Sequence, residues 1–431
     1  MKMKILSKLL FVFSILFLSS ILEAAGPSWT AFHGSKGDNI SPETGLLKSW
    51  SAEGPKLLWK TDSLGNTEFP GYSSVTISDG RIFTAGNVRT GDSDQTANAV
   101  LFALDAKTGK ELWRYDNGSG WVNRSNYPGE RSTPTVDGER VYTYSAVGRL
   151  ACVNAVTGQK IWDRNIQEDY VAQLPTWAFA ESVIVDDNKV ICWPGGVKAS
   201  AVALDKMTGK TIWETPANKE IGNYATMTIF EHNGVRVYAN MNQKGLFGIR
   251  ADNGEKLFFH PHETQFDIMA TTPYYWDGKI FLSSGYNKGS VLLQLTTSDG
   301  KMSLKEIWSE KKFDNQHGGI IVKDGYVYGS AHRYKKGIWI CLKLEDGSIA
   351  WEDRGVGQGS IAYADGLLYC FSEKDGTVAI VKPNSEKYEE VSRFVLAEEG
   401  AGLFWAHPVI CDKRLYLRHA GFLYCYDIAA N

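Results

Sequence analysis

The sequence predicts an all-β protein, eight small antiparallel sheets of four strands each, closed into a ring as an eight-bladed β-propeller. Three observations predict it. A motif recurs along the chain at a period of about fifty residues. Turn signals mark one hairpin in each repeat, and the last repeat lacks a strand that an early segment of the chain can supply.

Composition agrees with a densely packed β chain. Its 431 residues include 14 Trp, 20 Tyr, 19 Phe and 43 Gly, with 13 Pro and 22% charged residues, which excludes disordered, collagen-like and coiled-coil classes. Lys and Arg number 46 against 49 Asp and Glu, and a net charge of −3 argues against a nucleic-acid partner.

In chain order, residues 1–25 read as a secretory signal peptide. Lys2, Lys4 and Lys8 precede an apolar run from Leu9 to Leu22, and Ala24 and Ala25 offer small residues for cleavage. The run is too short for a spanning helix, and no cysteine follows it to accept a lipid. The expectation is a soluble, monomeric protein, periplasmic or secreted. Residues 26–55 form a lead-in segment whose course the sequence leaves open, and residues 56–431 form the propeller.

The clearest copies of the repeat are FALDAKTGKELW (Phe102 to Trp113), CVNAVTGQKIW (Cys152 to Trp162) and VALDKMTGKTIW (Val202 to Trp213), with fainter copies at Phe247 to Phe258 and Cys341 to Trp351. Each reads as an alternating strand, a turn and a second alternating strand. Gly109, Gly158, Gly209 and Gly254 supply the positive φ the turn requires, and an aromatic residue four positions later, Trp after the first three and Phe258 after the fourth, is an apolar anchor. Upstream of each copy a second hairpin is marked by Asp79-Gly80, Asp137-Gly138, Asp187-Asn188, Asn233-Gly234, Asp277-Gly278, Asp324-Gly325, Asp365-Gly366 and Asp412-Lys413, hence eight repeats. The final repeat, ending FLYCYDIAAN, has no fourth strand, and KLLWK (Lys56 to Lys60) is expected to complete that blade and close the ring.

Six cysteines in an exported chain raise the question of disulfides. Cys152, Cys341 and Cys425 occupy one strand position in three repeats, and Cys192 and Cys370 share another, so they stand whole blades apart and are expected to be buried free thiols. Cys411 has no obvious partner.

The pattern A-x-D-x-x-T-G-x-x-x-W, at Ala103 to Trp113 and Ala203 to Trp213, resembles the tryptophan-docking repeat of quinoprotein alcohol dehydrogenases. It equally resembles the pyrroloquinoline quinone (PQQ)-like repeats of non-catalytic propellers such as the lipoprotein of the outer-membrane barrel assembly machinery. The lead-in from Trp29 to Trp50 is similar to the opening of exported PQQ-like repeat proteins. The resemblance covers about residues 50–428 and implies the propeller fold. PQQ with calcium is the cofactor pair that the dehydrogenase resemblance implies. Against it, no two of the six cysteines are adjacent, where those dehydrogenases carry an adjacent-cysteine disulfide, and none of their calcium ligands or catalytic Asp aligns with a residue here.

In a propeller the innermost strand of each blade begins near the central channel. Counting back from each turn marker gives Tyr72, Arg131, Glu181, Met227, Thr271, His317, Ser360 and His407 as candidates to ring its mouth, able to hold an anionic or polyhydroxyl ligand or simply to satisfy one another. Loops feeding this face add Trp121, Asn123, Arg124, Tyr127, Tyr170, Trp177, Phe179 and Phe266, planar groups that stack on a ligand or on each other. His260 and His262, followed by Glu263, have a spacing found in metal sites but no identifiable third ligand, and no metal is expected. Nucleophile-elbow, zinc-protease and phosphate-loop motifs are absent from the sequence.

Two functions from different classes follow as expectations. The first is an exported, non-catalytic binding scaffold for a protein or extended ligand on the loop and channel face. The alternative is a PQQ-dependent alcohol or sugar dehydrogenase, and a carbohydrate-recognising propeller using Trp121 and Trp177 as platforms is a third possibility.

Overall fold

The computed structural model describes residues 27–123, 127–218, 220–266, 268–397 and 399–430. The signal-peptide expectation for residues 1–25, and Arg124, lie outside the described residues. Eight sheets follow one another in the chain. Blades 1 to 4 span Thr76–Ser119, Thr135–Asn165, Ile184–Pro216 and Thr228–Pro261. Blades 5 to 7 span Tyr274–Glu310, Ile321–Asp353 and Gly359–Val395. Blade 8 holds the strands Val409–Cys411, Arg414–His419 and Phe422–Asp427, and its fourth strand is Lys56–Thr61, antiparallel to Phe422–Asp427 with Trp59 opposite Cys425. The ring is therefore closed by the early strand, as the count of strands requires.

The turn markers behave as their residue types dictate. At Asp79-Gly80, Asp277-Gly278, Asp324-Gly325 and Asp365-Gly366 both residues have positive φ, the hairpin geometry that Asp-Gly favours. In blade 2 the turn is shifted by one residue: Asp137 still pairs with Arg140, and Gly138 alone takes the positive φ. The second turn of blades 1 to 3 is longer than a two-residue hairpin, whereas blade 5 turns on Asp299-Gly300 alone. The Asp105 carboxylate accepts the N–H groups of Lys107 and Thr108 and the Thr108 hydroxyl, at 3.0, 2.8 and 2.8 Å, and Gly109 N–H closes on the Asp105 carbonyl at 2.8 Å. Asn154 and Asp205 repeat this arrangement, which explains the D-x-x-T-G spacing.

The core is not a single mass but eight apolar clusters, one between each pair of neighbouring blades. Phe83, Leu101 and Ala103 of blade 1, for example, meet Val136, Val141 and Val153 of blade 2. Six indoles cross these seams. Trp59, Trp113, Trp162, Trp213, Trp308 and Trp351 each donate Nε1–H to a carbonyl of the next blade, at Ala106, Ala155, Lys206, Ala251, Leu344 and Asn384. All six cysteines are buried free thiols. No helix among the described residues is long and apolar enough to cross a membrane.

The lead-in segment, whose course the sequence left open, both plugs the channel and wraps the ring. Trp29 bridges Ile77 of blade 1, Thr30 accepts from Val136 of blade 2, and Ile40–Ser41 runs parallel to Tyr363 and Ala364 of blade 7. Between these attachments Phe32 and His33 sit on the axis. Further on, Leu47 N–H bonds to Ile428 and Trp50 packs edge-on to Phe394, so the segment passes beneath blades 7 and 8 before entering its strand.

Candidate functional site

The face that carries the connections between blades holds a cavity of 470 Å³ on the channel axis. Its floor is the plug: the ring of Phe32 lies 3.8 Å from that of His33, which stacks in turn on His407 at 5.0 Å. The cavity is thus a cup, open at the loop face and closed below.

Among the sequence candidates, Tyr72, Arg131, His317, His407 and Trp177 line this cup, as do Tyr127 and Phe266. The Arg131 guanidinium lies 5.6 Å from the Tyr72 ring and donates to the Tyr127 carbonyl. Trp405 makes a centre for one wall, with Tyr72 at 4.7 Å, Tyr127 at 4.9 Å and His317 at 5.3 Å between ring centroids. Trp177 stands across from it beside Tyr224, whose hydroxyl accepts the Trp177 N–H at 3.2 Å.

Other candidates are not at the cup. Glu181 is fully buried inside blade 3, where its carboxylate accepts Trp193 N–H at 2.8 Å and faces Asn240, so it turns into the sheet rather than toward the channel. Ser360 is buried in its strand opposite Phe371, and Thr271 donates to the carbonyl of Gln316, tying blade 5 to blade 6. Met227 faces a second cavity on the opposite side of the plug. The carbonyl of Trp121 is held by Asn87 and Gly129, and the residue lies outside the cup lining. Tyr170 and Phe179 are core residues between blades 2 and 3. His262 is buried, with its pKa pushed down to about 3 by burial. No group of three His, Cys, Asp or Glu side chains among the described residues is placed to hold a metal ion.

The sequence reading missed much of the wall, including Tyr286, Gln316, His332, Arg333, Glu373 and Trp405. Most of them sit on the turns between second and third strands or beside the inner-strand position counted from the turn marker. Glu373, in the SEKDG turn that reads only as a hairpin, is the cup's carboxylate: His317 Nε2 lies 3.1 Å from it and Trp405 Nε1 donates to it at 3.0 Å. Burial pushes this carboxyl up, but the bonds from His317 and Trp405 outweigh burial and hold it below its ordinary range. His332 accepts Tyr286 N–H at 3.1 Å, and burial lowers its pKa to about 4. Arg333 lies over the rings of Tyr286 and Phe266, at 4.9 and 5.8 Å. Its strand end is fixed by Asp314, whose carboxylate gathers the N–H groups of Asn287, His332 and Arg333. On the floor, burial lowers His407 to about 4 despite its bond to the His317 carbonyl, and burial followed by His407 lowers His33 well below the usual imidazole range.

The cup therefore combines aromatic rings, two guanidinium groups and a histidine–carboxylate pair, suited to an anionic or polar group borne on a planar or extended molecule. The cup is poor in carboxylates for a calcium ion such as the one that accompanies the quinone. Calcium takes about six to eight oxygen ligands, whereas the described lining offers one carboxylate, Glu373, already held by His317 and Trp405.

These features define a class: a tryptophan-docked, eight-bladed propeller with a blind aromatic cup on its loop face. The chain matches the family model described as outer membrane protein assembly factor BamB over residues 23–126 and 97–353, and it belongs to that family of PQQ-like repeat propellers. It is 25% identical over 307 residues to outer membrane protein assembly factor BamB of Yersinia pestis, covering 67% of this chain and 68% of that one. It is 24% identical over 264 residues to a polyvinylalcohol dehydrogenase of a Pseudomonas species, 59% of this chain but 37% of the relative. The matched region thus spans little more than a third of that dehydrogenase. Among solved structures, BamB from Moraxella catarrhalis superposes with a TM-score of 0.57 at 14% identity over 83% of this chain and 95% of that one. The quinohemoprotein alcohol dehydrogenase of Comamonas testosteroni does so with a TM-score of 0.63 at 13% identity, over 94% and 81%. At these identities the structural likeness establishes the fold.

Proposed function

We propose that this chain is an exported binding propeller that takes a segment of another protein, or a comparably extended chain, on its loop face, with the cup as anchor. The observation that carries the reading is the closed floor: Phe32, His33 and His407 convert the channel into a cup that one end of a ligand enters. Arg131 and Arg333 supply charge, and Tyr72, Tyr127, Trp177 and Trp405 supply planar contact area of the kind that dominates binding sites. The relative named as an assembly factor supports a protein partner, and the name of the polyvinylalcohol dehydrogenase supports an extended chain. On this reading the His317–Glu373 pair orients a polar group of the ligand and performs no reaction.

Photo-crosslinking in exporting cells tests it. Benzoylphenylalanine in place of Trp177 is expected to give one discrete adduct that weakens in Arg131→Ala, while the same group in place of Trp276, exposed on another surface, gives none. Diffuse adducts of equal yield from both positions count against the reading. The second reading, a quinoprotein-type oxidoreductase, is favoured by the two guanidinium groups beside planar rings, which suit a planar polyanion.

A further inference from the structure

The inner strands obey a register rule. Ile77, two positions before its turn, stands opposite Ile82 in a pair that exchanges no hydrogen bonds, so its own N–H and C=O face the channel. Trp29 takes both, at 2.8 and 2.9 Å. The equivalent residue of blade 2, Val136, donates to the Thr30 carbonyl at 2.8 Å, and that of blade 7, Tyr363, donates to Asn39 at 2.9 Å. The lead-in segment is therefore a strand-like addition to three inner edges.

Blade 3 has the same register, with Val185 opposite Val190 and Asp186 opposite Lys189. The segment crosses from blades 1 and 2 to blade 7, and on blade 3 it leaves the Val185 edge without a backbone partner among the described residues. That edge lines a cavity of 620 Å³ on the turn face, beneath the plug and apart from the loop-face cup.

We propose that the inner edge Ile184–Asp186 binds an extended, uncharged segment of another polypeptide, added as a strand inside this cavity. The occupant is extended because the chain itself fills three equivalent edges in that way, and strand addition draws on the backbone groups that face the channel. It is uncharged because four of the six Lys, Arg and Asp side chains of the wall pair with one another, Lys206 with Asp137 at 2.7 Å and Arg236 with Asp186 at 2.6 Å, and the other two, Lys36 and Asp187, are exposed and opposite in sign. Alternating valine and threonine suit a wall on which Val183, Met227 and Ile229 stand among the hydroxyls of Thr135, Thr226 and Thr228.

Fluorescence anisotropy on the full chain tests this, using a fluorescein-labelled peptide of alternating valine and threonine with a lysine at each end, against a control of alternating glutamate and lysine. Saturable binding of the first peptide alone is expected. Val185→Pro removes the N–H that faces the channel and no ladder bond, and Thr228→Trp fills the cavity. Each is expected to weaken binding at least tenfold with unchanged circular dichroism, and exchange of the Val185 amide is expected to slow when the peptide is added. Absence of saturation, or affinity unchanged in Thr228→Trp with no slowing at Val185, overturns the proposal and leaves a water-filled vestibule. The readout is independent of the loop-face cup, because neither substitution lies in its lining.

Discussion

The ring of Trp113 covers Gly158 of the next blade so closely that a Cβ there would stand 2.7 Å from Cδ2 of the indole. The same contact links Trp162 with Gly209, Trp213 with Gly254 and Trp308 with Gly347. The glycine of the repeat thus serves twice, for its positive φ and for the space that the neighbouring tryptophan occupies.

Gly158→Ala is accordingly expected to cost more than Gly80→Ala. Both glycines have a φ near 70°, 73° and 70°, but nothing lies within 4 Å of a Cβ on Gly80. Backbone strain of about 1–2 kcal/mol is common to both, and displacement of Trp113 adds about 1–3 kcal/mol at Gly158 alone. Urea unfolding midpoints of the two variants measure the difference.

Trp59→Ala tests closure. The strand Lys56–Thr61 is held by its ladder to Phe422–Asp427, and Trp59 docks it on blade 1 through the Ala106 carbonyl at 3.2 Å. Removing the indole is expected to lower stability by about 3 kcal/mol. Amides of Phe422–Asp427 are expected to exchange faster than those of blade 4, as measured by hydrogen exchange.

His407 makes the plug acid-sensitive. Its folded pKa, about 4, lies below the unfolded value of about 6.5, so the unfolded state binds more protons between these values. The stabilisation is complete above that window and is lost as pH falls through it, by about 2 kcal/mol between pH 7 and 5. His33 stacks on His407 and titrates in the same direction. His407→Gln is expected to lose less stability than wild type over this interval, read from thermal melts at each pH.

Glu181 has the opposite sign. Burial raises its pKa to about 8, against the bond from Trp193, so the folded state holds a proton that the unfolded state releases above about 4.5. Its contribution falls as pH rises from there to 8. The stability of Glu181→Gln relative to wild type is expected to improve by roughly 2–4 kcal/mol from pH 5 to pH 8.

The fold was legible because blades 1 to 3 carry the same local chemistry in full, an Asp-Gly or related hairpin, an Asp or Asn that gathers the turn N–H groups, a glycine and a tryptophan four residues later, and the other blades keep parts of it. The missing strand was legible by counting. The cup was legible only in part, since one position per inner strand identifies Tyr72, Arg131, His317 and His407 but not the second-to-third-strand turns that bring Glu373 and Arg333 to the axis. Glu181 shows the limit of that counting: it stands six residues before the Asp187 turn where Tyr72 and His317 stand seven before theirs, and a difference of one residue changes the side to which a side chain points. Phe32 and His33 carry no signal of their own, because their place on the axis depends on backbone bonds to blades 1, 2 and 7.

The central claim, that the cup anchors an extended partner rather than a quinone, is tested most directly by calorimetric and absorbance titration of the purified protein with PQQ in the presence of calcium. The account predicts no saturable heat and no shift of the quinone absorbance, because Glu373 is already held by His317 and Trp405. Saturable micromolar binding that is lost in Arg131→Ala would contradict it and make the oxidoreductase reading the leading one.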